Sequence, residues 1–113
     1  MRRTILLSVL VLAGCTYYHR MSTCPGSAAP IVCIDSSLNA SPNPVHVKRG
    51  QFLHFFMASG ELNIEGDFFE NQGHDGGQAW GRVKKDASYG EHKYTVVNMT
   101  TGKRNDPEVM IDP

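Results

Sequence analysis

Short apolar segments separated by glycines and prolines dominate the chain from Ile31 onward. These segments are rich in β-branched and aromatic residues, and several alternate apolar with polar positions, which is typical of β-strands. No uninterrupted stretch is long enough for an amphipathic helix with its capping residues. The pattern therefore predicts an all-β domain with the strands Ile31–Asp35, Val45–Lys48, Phe52–Met57, Leu62–Glu65, Ala79–Val83, His92–Asn98 and Glu108–Ile111.

The predicted strand Phe52–Met57 is apolar on both faces. Phe52, His54 and Phe56 point to one side, and the three apolar residues between and after them point to the other. We therefore expect a central strand. Because His54 shares its side with two phenylalanines, the pattern favours a buried histidine with satisfied hydrogen bonds over a ligand. Strands of this number and length predict a small two-sheet β-sandwich.

The segment Phe68–Trp80 is predicted to be a long glycine-rich loop edged with large aromatic residues. Long loops on β-sandwiches often carry function. One hypothesis is that Phe69, His74 and Trp80 are exposed and contact a partner, because aromatic side chains supply much of the binding energy at interfaces. The other is that the aromatic residues close one end of the core and the glycines form a flexible turn.

The first residues have the layout of an export signal. Met1–Arg3 is positive, Ile5–Leu12 is apolar, and Leu12–Cys15 ends in small residues and a cysteine. The apolar stretch is shorter than the roughly 20 residues that span a bilayer core. Leu12–Cys15 resembles the lipobox of bacterial lipoproteins, which implies cleavage before Cys15 and lipidation of that residue. The alternative is an ordinary signal peptide or core segment that happens to end in cysteine.

The lipoprotein resemblance divides the chain into three parts. We expect residues 1–14 to be a signal peptide, residues 15–23 a lipidated tether and residues 24–113 the β-sandwich domain. Several acyl chains anchor a protein stably, whereas one chain alone is marginal. Thr16 follows the cysteine, and in similar lipoproteins a residue other than Asp there favours the outer membrane. The expected location is therefore the bacterial outer membrane, facing the periplasm.

Cysteine usage agrees with export. Of three cysteines, lipidation of Cys15 leaves Cys24 and Cys33. Two such thiols usually pair in an oxidising periplasm, and the intervening Pro25–Pro30 segment is rich in turn-forming residues. We expect a disulfide. A redox pair or a metal pair is the rival interpretation, although redox motifs commonly place only two residues between the cysteines.

Composition limits the classes of function. The chain has 113 residues, 11 basic against 11 acidic, and 41% are hydrophobic. This length permits one domain and hardly two, and the apolar content is too high for a disordered chain. No basic excess exists that could neutralise a run of phosphates, so nucleic acid is not expected as a partner.

Four segments of the chain resemble the strands of cupredoxins in their order and turn glycines: Pro44–Phe55, Leu62–Ile64, Gly90–Val96 and Val109–Ile111. The resemblance covers most of the chain from Pro42 to Asp112 and implies a small Greek-key β-sandwich of the cupredoxin type. An immunoglobulin-like sandwich of different topology would give nearly the same pattern.

The copper site of that family does not carry over. A blue-copper centre needs two imidazoles and a thiolate. Leu62 stands where the family has its first histidine, the expected cysteine falls near Val96, and no cysteine follows Cys33. The resemblance therefore implies a copper-free domain without a cofactor. A different copper site remains an alternative, in which a periplasmic copper-binding or carrier protein would use histidine and methionine ligands, His46, His74 and His92 among them.

Catalysis finds little support in the sequence. The chain contains no Gly-x-Ser-x-Gly elbow, no His-Glu-x-x-His and no phosphate-binding glycine loop. The expected function is a membrane-anchored, non-catalytic binding or structural module of the bacterial envelope. Its expected partners are the membrane, through the anchor, and an envelope protein or the cell wall.

Overall fold

The computed structural model describes residues 24–26 and 29–113, so the predicted signal peptide, Cys15 and the tether lie outside the described residues. The described part is all-β, and its eleven strands form three sheets. The strands are β1 (Ile31–Ile34), β2 (Ala40–Ser41), β3 (Val45–Lys48), β4 (Phe52–Met57), β5 (Leu62–Glu65), β6 (Phe69–Asp75), β7 (Gln78–Val83), β8 (Gly90–Lys93), β9 (Thr95–Asn98), β10 (Arg104–Asn105) and β11 (Glu108–Asp112).

The largest sheet has five strands in the order β2-β1-β4-β7-β6, and two three-stranded sheets have the orders β10-β9-β5 and β3-β11-β8. The prediction that Phe52–Met57 is a central strand is confirmed, since β4 lies in the middle of the five-stranded sheet. Two pairs are parallel, β1 with β4 and β3 with β11. Parallel neighbours require crossover connections, so the chain is not a simple up-and-down meander.

Most predicted strands are present, and the differences have local causes. Three coincide with β3, β4 and β5, and those at β1, β7 and β11 differ by one residue at an end. The predicted strand His92–Asn98 is divided at Tyr94 into β8 and β9, which belong to different sheets. The two-residue strands β2 and β10 carry too little pattern to be predicted.

The largest correction concerns the predicted loop Phe68–Trp80, most of which is the hairpin β6–β7. Strand β6 lies at the edge of its sheet, and after Phe69 its residues are polar or glycine, so its sequence has no apolar alternation. The turn is Gly76–Gly77. Gly76 has φ 57°, a left-handed value that favours glycine, and the carbonyl of Gly77 accepts a hydrogen bond from the Met57 amide at 2.7 Å.

The core lies between the inner faces of the sheets. Val32, Leu53, Phe55, Val96 and Val109 are fully buried. Among the described residues, the only buried side chain with a polar group is that of Tyr94. Three aromatic rings form its centre. The ring centroid of Phe55 is 5.3 Å from that of Tyr94 and 6.2 Å from that of Phe69. Such pairs stabilise a core by about 0.5 to 1.5 kcal/mol beyond their buried area.

A disulfide joins Cys24 to Cys33, with the Cα atoms 5.5 Å apart, so the predicted pairing is confirmed. Cys33 lies on β1 directly beside Phe56 of β4. The bridge therefore fastens the chain before β1 to the five-stranded sheet.

Candidate functional site

The five-stranded sheet has one face packed on the core and one face turned away from it. Alternation and register assign the outward positions, which we call the outer face: Ile31 and Cys33 on β1, Phe52, His54 and Phe56 on β4, Gln78, Trp80 and Arg82 on β7, and Glu70, Gly73 and Asp75 on β6. Directly opposite residues on neighbouring strands contact each other on one face of a sheet. His54 therefore stands beside Trp80, and Phe56 beside Gln78.

A shallow pocket of about 390 Å³ lies at the centre of this face. Its lining consists of Phe52, His54, Gln78 and Trp80. The volume is at the lower end of the roughly 300 to 1,000 Å³ that is usual for small-molecule sites. Two aromatic rings and two hydrogen-bonding side chains thus surround one open concavity.

The position of Trp80 depends on a glycine in the neighbouring strand. A Cβ atom added to Gly73 would lie 2.6 Å from the indole Nε1 and 2.5 Å from Cε2, so the ring lies over the bare Cα of Gly73. A β-bulge between Glu70 and Gly73 shifts the register of β6, which brings this glycine opposite Trp80. The indole is half-buried in this position.

On one side, the pocket is bordered by Phe52 and by the ion pair of Glu70 with Arg82. Phe52 is 39% exposed, and its ring centroid is 6.5 Å from that of His54. The Arg82 guanidinium lies 5.9 Å from the Phe52 ring centroid and pairs with Glu70, with Nη2 and Oε2 at 2.6 Å. Because Glu70 neutralises Arg82, the border carries no net charge from this pair.

The polar side chains of the pocket have no hydrogen-bond partner within residues 24–26 and 29–113. Among the hydrogen bonds of the described residues, none involves the side chain of His54, Gln78 or Trp80. The nearby Glu70 and Arg82 side chains, by contrast, are bonded to each other at 2.8 Å. The imidazole, amide and indole N–H groups are therefore available to a ligand.

Only one of the three partner-binding residues predicted from the sequence lies at this pocket. Trp80 lines it, whereas Phe69 is 4% exposed and belongs to the core. This corrects the expectation that Phe69 is exposed. Phe69 lies opposite Val83 on the inner side, where its ring packs against Gly81. His74 is exposed near the tip of the hairpin, opposite the inward-facing Ala79, so the structure does not bring the three residues together.

Sequence reasoning missed Phe52, His54 and Gln78 as site residues, and it assigned His54 to a buried environment. The structure corrects this, since His54 is exposed. A signal was present in the alternation itself. A histidine between two outward phenylalanines indicates that this face of the strand is not fully buried, because burying an imidazole without hydrogen-bond partners costs free energy.

A second pocket of about 260 Å³ contains a serine and a histidine close together. The His92 Nε2 atom is 3.2 Å from the Ser88 Oγ atom and 2.8 Å from the Ser88 carbonyl oxygen. Since a carbonyl only accepts, Nε2 carries the proton and donates it. Nε2 then has no lone pair with which to remove the serine proton, so this arrangement is not a nucleophile with its base.

The histidines named in the copper alternative lie on three different strands. His46 is on β3, where its Nδ1 atom is 3.1 Å from Asp112 Oδ2, His92 is on β8, and His74 is on β6 of another sheet. Within residues 24–26 and 29–113, no group of three or more His, Cys, Asp or Glu side chains is arranged to hold a metal ion.

Two carboxylates on the three-stranded sheet β3-β11-β8 influence each other. Glu108 raises the pKa of Glu91, through a hydrogen bond between the two side chains and through like-charge repulsion. Both lie on an outward, solvated face. We expect this pair to affect local charge only, and it belongs to a different sheet from the pocket.

In the part of the chain that the structure describes, no helix is sufficiently long and apolar to cross a membrane. Comparisons with protein-family models, with curated proteins and with solved structures gave no match.

Proposed function

We propose that this protein is a lipid-anchored, non-catalytic binding module of the bacterial envelope, and that it binds its ligand at the outer face around Trp80. The observation that carries the binding site is the open pocket in which Phe52 and Trp80 flank His54 and Gln78, whose side chains have no hydrogen-bond partner in the part of the chain that the structure describes. Ligand sites combine apolar lining with a few convergent polar groups in this way.

The anchor is proposed from the sequence. Leu12–Cys15 supports cleavage before Cys15 and lipidation of that residue, and Thr16 supports the outer membrane with the domain facing the periplasm. The disulfide Cys24–Cys33 fits an exported protein, since oxidising compartments favour such bridges. A module tethered by residues 15–23 reaches only nearby envelope components, either proteins or the cell wall.

Fold and chemistry support binding over catalysis. The parallel pairs β1 with β4 and β3 with β11 are consistent with a Greek-key sandwich of cupredoxin-like topology, which we propose for residues 24–113. The pocket lining contains no carboxylate, thiol or hydroxyl side chain that could act as a nucleophile. A rigid sheet that presents aromatic rings is suited to holding a ligand.

The binding site is tested with a photoreactive residue in the full chain, expressed so that it is exported. Replacing Phe52 by p-benzoylphenylalanine and irradiating intact cells is expected to give a covalent adduct with an envelope component. The matched control carries the same residue at Tyr89, which is 52% exposed and lies away from the pocket. Adducts of equal yield at both positions, or none at position 52, would show that the outer face is not the binding site.

The anchor is tested separately by Cys15→Ala. Without the thiol no diacylglycerol can be attached, so the variant is expected to remain unprocessed or to leave the outer-membrane fraction. Cell fractionation and intact mass measure this. Normal processing with unchanged outer-membrane retention would contradict the anchor.

A further inference from the structure

We infer that the ligand of the pocket around Trp80 is a neutral saccharide, bound with one face of a pyranose ring against the aromatic residues. This inference rests on the proposed function, because it names the ligand class of the same site. The shape, the charge and the hydrogen-bonding capacity of the pocket each support a saccharide.

The shape fits a flat and partly apolar ligand. The Trp80 indole lies over Gly73 on an open sheet, so its position is fixed from below, and the residue as a whole is partly exposed. A pyranose ring has C–H groups on its faces and hydroxyl groups around its edge. Its face buries apolar area against an aromatic ring, and Phe52 at the other end of the pocket offers a second ring.

The polar groups match the edge of a sugar. Gln78 presents an amide that both donates and accepts, His54 presents an imidazole, and the Trp80 Nε1–H donates. None of the three has a side-chain partner among the described residues. Hydroxyl groups also both donate and accept, so a ring stacked on the aromatic residues can satisfy these groups at its rim.

Charge and size argue against the other ligand classes. Glu70 pairs with Arg82 at 2.6 Å, so neither ion of this pair is free to bind a phosphate or an amine. The other carboxylate of the outer face, Asp75, lies opposite Gln78 and does not line the pocket. A protein interface usually covers about 800 Å² on each partner. On the outer face, Phe52 is the only large hydrophobic residue of the described chain that is classed as exposed. A short stretch of sugar rings fits this limited area better than a folded protein does.

Trp80 is the only tryptophan of the chain, so its fluorescence reports on the pocket without a label. The full-length protein in detergent is titrated with chitotetraose, cellotetraose and maltotetraose. At least one of these oligosaccharides is expected to shift or quench the emission, with saturation at about 1 mM, as expected for one or two sugar rings at ordinary ligand efficiencies. Sorbitol is the matched control ligand, because it carries similar hydroxyl groups but no ring.

Variants test whether the oligosaccharide binds at this pocket. Affinities are measured by ligand-detected NMR. Trp80→Ala is expected to bind the oligosaccharide at least tenfold more weakly than the unmodified chain, and Gln78→Ala about threefold to tenfold more weakly. Gly73→Ala keeps the indole but displaces it, so it is expected to weaken binding as well. Tyr89→Ala is expected to bind like the unmodified chain. Folding of each variant is checked by circular dichroism.

The outcomes separate the two proposals. An adduct at position 52 without any oligosaccharide response would overturn the saccharide assignment and leave the binding site in place, with a peptide as the ligand. Absence of both would overturn the binding site too. An equal response to sorbitol, or a response that survives Trp80→Ala, would also contradict the saccharide inference.

Discussion

Trp80 and Phe69 are large aromatic residues of one hairpin, yet they lie on opposite faces of the five-stranded sheet. Phe69 stabilises the core, and Trp80 forms the pocket. Simple alternation along β6 from Phe69 would place Gly73 on the inner side, but the bulge between Glu70 and Gly73 reverses this. A polar segment such as β6 has no pattern that reveals a bulge. The sequence alone therefore could not assign Phe69 to the core and Trp80 to the pocket.

Tyr94 places a hydroxyl group in the core of the described domain. It is 1% exposed, and among the described residues its Oη atom has no hydrogen bond. An unsatisfied buried polar atom costs about 1 to 3 kcal/mol. We therefore expect Tyr94→Phe to leave the free energy of unfolding unchanged or to raise it by about 1 kcal/mol. Urea denaturation measures this, with the exposed Tyr89→Phe as the control, and a large loss of stability would reveal an essential contact of the hydroxyl.

The same residue gives the stability an alkaline pH dependence. Burial raises the pKa of Tyr94 above its ordinary value near 10. The folded state then holds the phenolic proton where the unfolded state releases it, so this contribution is complete below about pH 10 and declines as the pH rises further. We expect the stability of Tyr94→Phe to fall less steeply above pH 10. Parallel curves for the two proteins would contradict this.

At the scale of elements, the hairpin β6–β7 depends on the close approach of its turn to β4. A Cβ atom on Gly77 would overlap the carbonyl oxygen of Met57. This is a backbone atom, so it cannot move away as the end of a flexible side chain could. We expect Gly77→Ala to lower the free energy of unfolding by about 2 kcal/mol or more. Gly76→Asn is the control, since Gly76 has open space around it and asparagine tolerates its left-handed φ. Equal effects of both changes would show that the contact with β4 is unimportant.

The disulfide is a second element-scale contribution. Cys24 and Cys33 close a loop with a sequence separation of 9, for which the chain-entropy estimate is about 2.5 kcal/mol. We expect the double change to serine to lower the unfolding free energy by this amount and to expose Phe56, which lies beside Cys33. Unchanged thermal unfolding after reduction would contradict a stabilising bridge.

Strands with their own alternation were predictable, and strands that depend on neighbours were not. Val45–Lys48 and Phe52–Met57 carry clear patterns and lie where they were predicted. Strand β6 exists because β7 supplies its hydrogen-bond partners, and the division at Tyr94 arises because β8 and β9 join different sheets. Such pairings depend on distant parts of the chain, which a local pattern does not contain.

For the whole molecule, the composition and the strand pattern were sufficient to predict an all-β domain with a disulfide. The pocket was not predictable, because it forms from outward residues of β4 and β7, which are separated by more than 20 positions and meet only in the sheet. Trp80 was the part of the site that could be named from the sequence, because it is one of the large aromatic residues at the edges of the glycine-rich segment Phe68–Trp80.

The five-stranded sheet has a binding face and a core face, and Trp80→Ala and Phe69→Ala test this division most directly. Stability and photo-crosslinking from position 52 are measured on both variants in the full chain. Phe69→Ala is expected to lose about 3 to 5 kcal/mol of unfolding free energy, because a buried ring leaves a cavity.

Trp80→Ala is expected to lose less than about 2 kcal/mol, because its ring is only half-buried, while the adduct from position 52 falls at least fivefold. An adduct that persists in a folded Trp80→Ala protein would contradict the claim that this face binds the ligand. A loss of stability as large as that of Phe69→Ala would instead assign Trp80 to the core and remove the proposed site.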